Sequence, residues 1–557
     1  MLERIGQALP VVLGAATLGV LGAKLLLAWR LNVNWDEFFY LSQVHALARG
    51  ELELLLQGAY THLFRWVTTL QLQEVDQVVC LRVLMWALLV LSAGLLYRLA
   101  RRFASPAGAS FALLAFIASW PVLKHGASFR ADSMLLPLTL AVLLLATRTS
   151  DRPLRNDLGA GLCLAAAFAL TSKAVLLLPA LVVMVFASGV GTPLDAARAG
   201  GAGRAVRRIT WILVTAVPVS ALLIAAHSTQ VVASAEPVGA FAVRTVTDAL
   251  LDVPLLPRGE YFRNLVWQDL VFWAALLAGL AIAARLRAYV AAASALTLLP
   301  ILYYRNAFPY YYPVMMAPAA ILVALSADWL RQRRAGLLAL AALGLLLIHH
   351  AWDGVMTLRF DEQQKQREVI AAVRRIFPAN VPYIDHSGMI ASFPKVNFLM
   401  SSWGVEDYLR RGRDFMPDLL STSRPPPLLL ANHGVLVPGT LLYRRLSAMD
   451  RKLLESTYVD YWGPIKVAGV EFAVPADGTV TARVPFAGRY RLASGKSIQL
   501  NGVRLDPGET IEIPHAQESQ VAATGMSGSA ETARLVWADA RPAPEGPPPA
   551  SPLYSGL

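Results

Sequence analysis

Apolar positions run in long blocks from residue 9 to residue 352, and beyond that point the pattern becomes short and mixed. Crossing a hydrocarbon core takes about 20 apolar residues in a helix. Eleven blocks approach that length: 9–29, 79–98, 107–123, 131–147, 157–172, 174–190, 208–227, 266–284, 288–304, 311–328 and 335–352. The pattern predicts a polytopic α-helical membrane region over residues 1–352. The fifth and sixth blocks are short and meet at Thr171-Ser172-Lys173, so a single broken or re-entrant unit is the alternative there. Between the first two blocks lies a long loop, residues 30–78. In it Phe38, Leu41, Val44, His45 and Ala48, then Leu56, Tyr60, Leu63, Phe64, Val67 and Leu70, recur near helical spacing. Such segments are expected to lie along a membrane surface rather than to extend into water.

After residue 352 the period changes. Residues 353–468 predict a mixed α/β unit: a charged helix from Asp361 to Ile376, a short strand at Pro382–Asp385 and an apolar strand at Leu428–Leu430. From about Val467 onward side chains alternate, as in Thr479–Val484. Asn501-Gly502 separates Ile498–Leu500 from Val503–Leu505. Both positions of a two-residue hairpin turn favour positive φ, which Asn and Gly supply. A β-rich, sandwich-like domain is expected over 469–540. Residues 541–557, rich in proline and small residues, are expected to form a disordered tail.

Charge decides the topology. The chain carries a formal net charge of +12 and is 56% hydrophobic, against roughly 45–50% apolar residues in soluble domains. Fifteen arginines (98, 101, 102, 148, 152, 155, 198, 204, 207, 208, 285, 287, 331, 333 and 334) fall in every second inter-block loop, the placement the positive-inside rule gives to cytoplasmic loops. They account for the positive balance, so no nucleic-acid partner is called for. The N-terminus is then cytoplasmic, and the 30–78 loop and everything after residue 352 are exported. This organisation suits a multi-pass protein of a bacterial inner membrane with a periplasmic C-terminal region. No cleavage site follows the first block, which is expected to remain as an anchor. The two cysteines, Cys80 and Cys163, belong to blocks near opposite faces and predict no disulfide.

On the exported side stand three sets of chemistry-bearing residues: Asp36-Glu37, Arg130 with Asp132, and the cations Arg82, Lys124, Lys173 and Arg305. Ionisable groups at membrane depth are costly and usually mark function. A carboxylate base together with cations suits a reaction that deprotonates a hydroxyl while a phosphate leaves. Each residue also has a structural alternative. Asp36 could cap the helix that follows, Glu37 could complement its first turn, Asp132 could cap its own helix or pair with Arg130, and Arg82 could snorkel to the interface. Tyr303-Tyr304 and Tyr310-Tyr311-Tyr312 fit an interfacial aromatic belt or a sugar-stacking surface. His349 and His350 fit the interface better than a metal site.

Taken in order, these features resemble the GT-C class of membrane glycosyltransferases. They are most similar to its bacterial branch of lipid A aminoarabinose transferases and protein O-mannosyltransferases. Asp36-Glu37 after the first span resembles the acidic motif of the class, and Cys80-Leu81-Arg82 resembles its arginine-initiated second span. Phe129-Arg130-Ala131-Asp132 resembles the Arg-x-Asp entry to its fourth span. Thr171-Ser172-Lys173-Ala174 resembles the Thr-Lys-Gly turn, with Ser172 inserted and Ala174 in place of Gly. Arg305 with Tyr310-Tyr311-Tyr312-Pro313 and Pro318 resembles the tyrosine- and proline-rich late span.

The resemblance covers residues 1–352. It implies an inverting glycosyltransferase that moves a sugar from a polyprenyl-phosphate donor to a hydroxyl of a glycan, lipid or protein on the outer face. Asp36 would be the base, with Glu37 and Asp132 as further catalytic carboxylates. Arg82, Arg130, Lys173 and Arg305 would hold the donor phosphate, and Tyr310, Tyr311 and Tyr312 the sugar or acceptor. Some members of the class use a divalent cation (Mg2+ or Mn2+); if this chain does, Asp36 and Glu37 would be its ligands. One rival is a transporter or flippase for a lipid-linked sugar, which predicts an internal repeat that the sequence lacks. The other is a membrane-anchored glycan-binding scaffold, which would need one span and no paired carboxylates.

Overall fold

A computed structural model describes residues 2–53, 58–148, 153–190, 201–232, 254–333, 335–358, 363–422, 425–474, 479–484, 486–494, 497–514, 517–523, 531–549 and 553–554. They form two compact units. One comprises residues 1–31, 47–67 and 79–360; the other comprises residues 32–46, 68–78 and 361–557. Leu56, Arg152, Arg198 and Arg334 lie outside the described residues, as does the start of the helix predicted from Asp361.

The first unit is helical. Among the described residues five helices are long and apolar enough to cross a membrane: Gln7–Arg30, Glu74–Ala100, Gly201–Ser228, Pro309–Arg331 and Gly336–Thr357. A sixth counts if Gly259–Gln268 and Leu270–Arg285, bent by 95°, make one span. The other predicted blocks are helical but shorter or broken. Block 107–123 divides into Pro106–Ile117 and Trp120–His125, and block 174–190 opens with the 3-10 turn Ser172–Leu177. Block 288–304 is three short helical pieces. Length alone therefore supports five or six crossings where the hydropathy pattern predicts eleven.

The helix Tyr312–Arg331 is the centre of this unit, buried at every position from Tyr312 to Ala327. It packs against Pro106–Ile117, Ala131–Ala146 and Leu270–Arg285. Without a hydrophobic drive between helices in lipid, close approach depends on small residues. Gly108 meets that need: a Cβ there would lie 2.7 Å from the carbonyl oxygen of Ala324. Leu26, Leu222, Leu277 and Leu345 remain exposed on the outer helices, as lipid-facing leucines would. One cation is buried within the first span. Lys24 donates from Nζ to the carbonyls of Leu123 (2.5 Å) and Lys124 (3.2 Å), satisfying the end of the short helix Trp120–His125.

The second unit contains two sheets. In the seven-stranded sheet, β1 (Tyr383–Ile384) lies parallel to β2 (Leu428–Leu430). β2 pairs with β4 (Ile465–Val474), which also takes the hairpin strand β3 (Tyr458–Trp462) and then β11 (Glu531–Trp537). β6 (Gly488–Leu492) and β9 (Thr510–Ile513) complete it. The smaller sheet has the order β5 (Thr479–Val484), β10 (Gln517–Ala523), β7 (Ile498–Leu500), β8 (Val503–Leu505). Asn501 and Gly502 turn β7 into β8 with φ of 52° and 82°, the positive pair their identities predict. Tyr490, Leu492 and Leu535 from one sheet share a core with Ile498, Leu500 and Leu505 from the other.

The expected division at residues 468/469 falls inside β4, whose first half pairs with β2 and β3 and whose second half pairs with β11. The sheet therefore runs without a break across that position. Part of the tail expected to be disordered is packed. Leu553 and Tyr554 are buried, the Leu553 carbonyl accepts from Gln366 Nε2 at 2.9 Å, and Tyr461 Oη donates to the Arg541 carbonyl at 2.8 Å. Composition describes the proline-rich stretch, but two apolar residues beyond it supply an anchor.

Candidate active site

In the helical unit the site is built on three helix ends. Arg130 has extended backbone (φ −149°, ψ 154°) and precedes the helix Ala131–Ala146, which places Asp132 in the first turn, where the helix dipole favours an anion. The helix Pro153–Leu170 stops at Thr171, also extended, whose side chain accepts from the Lys173 N–H at 3.3 Å and starts the 3-10 turn Ser172–Leu177. That tight turn absorbs the inserted Ser172 and aims Lys173 at Asp132. Lys173 Nζ lies 2.8 and 3.1 Å from the two carboxylate oxygens, and Arg130 Nε lies 3.4 Å from one of them.

All three side chains are buried, at 3%, 3% and 8% exposure for Arg130, Asp132 and Lys173. The third helix end brings the tyrosines. The Tyr310 ring lies 3.5 Å from the Arg130 guanidinium carbon and 4.9 Å from Lys173 Nζ, and Tyr311 Oη donates to the Lys173 carbonyl at 3.1 Å. Two cations meet one carboxylate here, in a dry setting walled by aromatic rings.

The other predicted cations are placed differently. Arg82, 4% exposed, donates from Nη1 to the carbonyls of Ala28 (3.2 Å) and Leu31 (2.7 Å) at the end of the first span. Arg305 is half-buried, and its carbonyl accepts from Arg258 Nε at 3.0 Å. Tyr312 is buried within the central helix, its hydroxyl without a hydrogen-bond partner. His350 pairs with Asp269 at 3.1 Å, at the bend between two helices.

Asp36 and Glu37 belong to the second unit, in the first turn of the helix Trp35–Arg49. Asn34 is the cap. Its Oδ1 accepts from the Asp36 N–H at 2.8 Å, while Glu37 Oε2 accepts from the Asn34 N–H at 3.0 Å, a reciprocal capping box. Glu37 is fully buried in that role, whereas Asp36 is half-buried and its carboxylate is not the cap. Among the described residues no three His, Cys, Asp or Glu side chains gather into a metal-binding set. One of the two Glu37 carboxylate oxygens is held by the cap.

Beside this motif stands a cluster that the sequence reading missed. β1 leads into Asp385-His386 and β2, after Ala431, into Asn432-His433, so two histidines follow the carboxyl ends of neighbouring parallel strands. Their rings lie with centroids 3.9 Å apart and planes tilted by 30°, and Trp35 meets them edge-on at 5.3 and 5.5 Å. Asp385 is fully buried and accepts from the Gly388 and Met389 N–H groups (2.7 and 2.8 Å) and from Asn432 Nδ2 (3.0 Å). Gly388, at φ +92°, allows the helix Trp35–Arg49 to approach, since a Cβ there would lie 2.7 Å from Ser42. The repeated sequence Asp/Asn-His after an apolar strand was the available signal.

Burial pushes the His433 imidazole from 6.5 down to about 4. It pushes His386 well below the usual range, with the His433 and Lys395 charges adding to the effect. Both are neutral at pH 7. For a depressed imidazole the stabilisation is complete above the unfolded value near 6.5 and is lost as pH falls toward the folded value. The melting temperature of the purified protein is therefore expected to drop between pH 6.5 and about 4. A His433→Asn variant should show a shallower drop. An identical slope in the two proteins would remove His433 as a source of the effect.

The sequence matches no protein-family model and no curated protein. Among solved structures it is similar to ArnT from Cupriavidus metallidurans bound to undecaprenyl phosphate, with 17% identity, 72% of this chain and 88% of that chain covered, and a TM-score of 0.50. It is similar to the apo state of the same protein at 15% identity, 75% and 92% coverage and a TM-score of 0.50. The Archaeoglobus fulgidus oligosaccharyltransferase in complex with Zn and sulfate follows at 13% identity, 82% and 72% coverage and a TM-score of 0.49. At these identities the likeness speaks to fold, and together with the apolar helices it makes this chain a membrane protein with the GT-C glycosyltransferase fold.

Proposed function

We propose that the protein transfers a sugar from a polyprenyl-phosphate donor to a hydroxyl acceptor on the outer face of a bacterial inner membrane, with inversion at the anomeric carbon. The observation that carries this reading is the buried Arg130–Asp132–Lys173 cluster against Tyr310. Preorganised positive groups in a low-dielectric site stabilise the charge that develops on a departing phosphate. In this reading Asp36 takes the acceptor proton as the acceptor oxygen bonds to the anomeric carbon. The bond from that carbon to the phosphate oxygen breaks, and its electron pair leaves with polyprenyl phosphate. Asp132 holds Lys173 and Arg130 in place, Arg82 and Arg305 supply further positive charge, and Tyr310 and Tyr311 border the sugar. Glu37 acts through the cap that orients Asp36.

The fold of an ArnT structure that holds undecaprenyl phosphate supports a lipid-linked donor. Eleven crossings with a cytoplasmic N-terminus would leave the C-terminal unit periplasmic, and the alternation of arginine-rich loops supports that orientation. The test compares envelope glycans by mass spectrometry in cells with and without the protein. Loss of one defined sugar from a hydroxyl-linked product is expected, with the lipid-linked donor accumulating. Identical envelopes and donor pools would overturn the reading.

A further inference from the structure

We propose that Trp35, His386 and His433 form a subsite for the uncharged, hydroxyl-bearing part of the acceptor, immediately beside the Asp36 motif in the chain. This deepens the glycosyl-transfer reading and rests on it. The three rings come from one helix and two strand ends of the same unit and meet within 5.5 Å. A second observation points to a polar ligand. His386 is 1% exposed and its Nδ1 has no hydrogen-bond partner, and leaving such an atom unsatisfied is costly.

His433 offers the complementary group. Its Nδ1 accepts from the Val435 N–H at 3.3 Å, so its Nε2 carries the ring proton and donates.

The cluster suits an acceptor better than the anionic donor. Both imidazoles are neutral at pH 7. The neighbouring cation, Lys395, is committed to the Asn397 and Phe398 carbonyls and to Asn397 Oδ1 at 2.6–2.8 Å, with Asp385 at 3.8 Å. A phosphate would find no available counter-charge in these residues, whereas an alcohol, which both donates and accepts, would suit the Nε2–H of His433 and either tautomer of His386. The base in the proposed mechanism, Asp36, is the residue after Trp35.

The experiment uses the full-length protein in lipid vesicles. Envelopes from cells lacking the protein serve as acceptor, and the polyprenyl-phosphate lipid fraction of the same cells serves as donor. His433→Asn keeps an oxygen where Nδ1 accepts from Val435 but removes Nε2; His433→Gln places an amide near Nε2. The half-saturating amount of envelope is expected to rise about ten-fold in His433→Asn, as for loss of one hydrogen bond. Half-saturation in donor should not change, and His433→Gln should recover most of the loss. Wild-type transfer with unchanged acceptor saturation in His433→Asn, or a shift in donor saturation alone, overturns the subsite while leaving glycosyl transfer standing. Absence of transfer by the wild-type protein overturns the glycosyl-transfer reading, and the subsite falls with it.

Discussion

An Asp36→Asn protein is expected to insert, fold and bind donor like the wild type, yet to transfer sugar about a hundred- to ten-thousand-fold more slowly, the range that removal of a general base produces. Folding should survive because the cap of the helix Trp35–Arg49 is Asn34. One bond at residue 36, that of the cap, runs from its main-chain N–H to Asn34 Oδ1, and asparagine keeps that N–H. The capping contact of Glu37 with the Asn34 N–H is also untouched. What changes is the ability to accept a proton: the amide oxygen still accepts hydrogen bonds, but the group is no longer basic. The decisive measurements are single-turnover transfer by reconstituted protein, with donor affinity and melting temperature measured in parallel. Slower transfer accompanied by a large loss of melting temperature would assign Asp36 a structural role. Normal turnover would remove it from the mechanism.

Local conformational demands were the most legible in the sequence. Asn501-Gly502 announces its hairpin because two consecutive positive φ angles exclude most residues. Arg130-Ala131-Asp132 and Lys173 announce themselves by cost, since charged residues at the ends of apolar blocks need a reason. Their pairing, across 41 positions, depends on how the blocks pack and on the 3-10 turn at Ser172. The cap was harder. Asn34 and Asp36 are equally good cap residues, and only the register of the helix, beginning at Trp35, decides between them.

The His386–His433 pair shows where local reading stops. Each histidine follows a strand of two or three residues, too short to signal itself, and the two meet only because β1 and β2 lie parallel. Similarly, the break expected at residues 468/469 came from a change of period within one strand. β4 looks mixed at its start because that half pairs with β2 and β3, and alternating afterwards because the other half pairs with β11.

Lys173→Met should have two effects that a second substitution separates. Lys173 Nζ holds both oxygens of a carboxylate that is 3% exposed; without it Asp132 keeps Arg130 Nε at 3.4 Å, so the loss falls below the roughly 3–5 kcal/mol that removing a buried charge's sole partner costs. The melting temperature should therefore fall, and donor binding should weaken by about a hundred-fold if the ammonium also meets the lipid phosphate, since a charged contact truncated at a buried site costs about 2–5 kcal/mol. Adding Asp132→Asn removes the carboxylate that lost its ammonium, and with it the Arg130 contact at 3.4 Å, so donor affinity rather than stability separates the two roles. If Lys173 served only to neutralise Asp132, the double variant would recover donor affinity. If it serves the phosphate, donor affinity stays low, because no cation has been restored. Arg130, left stacked 3.5 Å from the Tyr310 ring, is then the remaining positive group of the cluster, and donor binding in the double variant should become more sensitive to Arg130→Lys than in the wild type. Titration of reconstituted protein with polyprenyl phosphate, followed by intrinsic fluorescence, distinguishes the two outcomes.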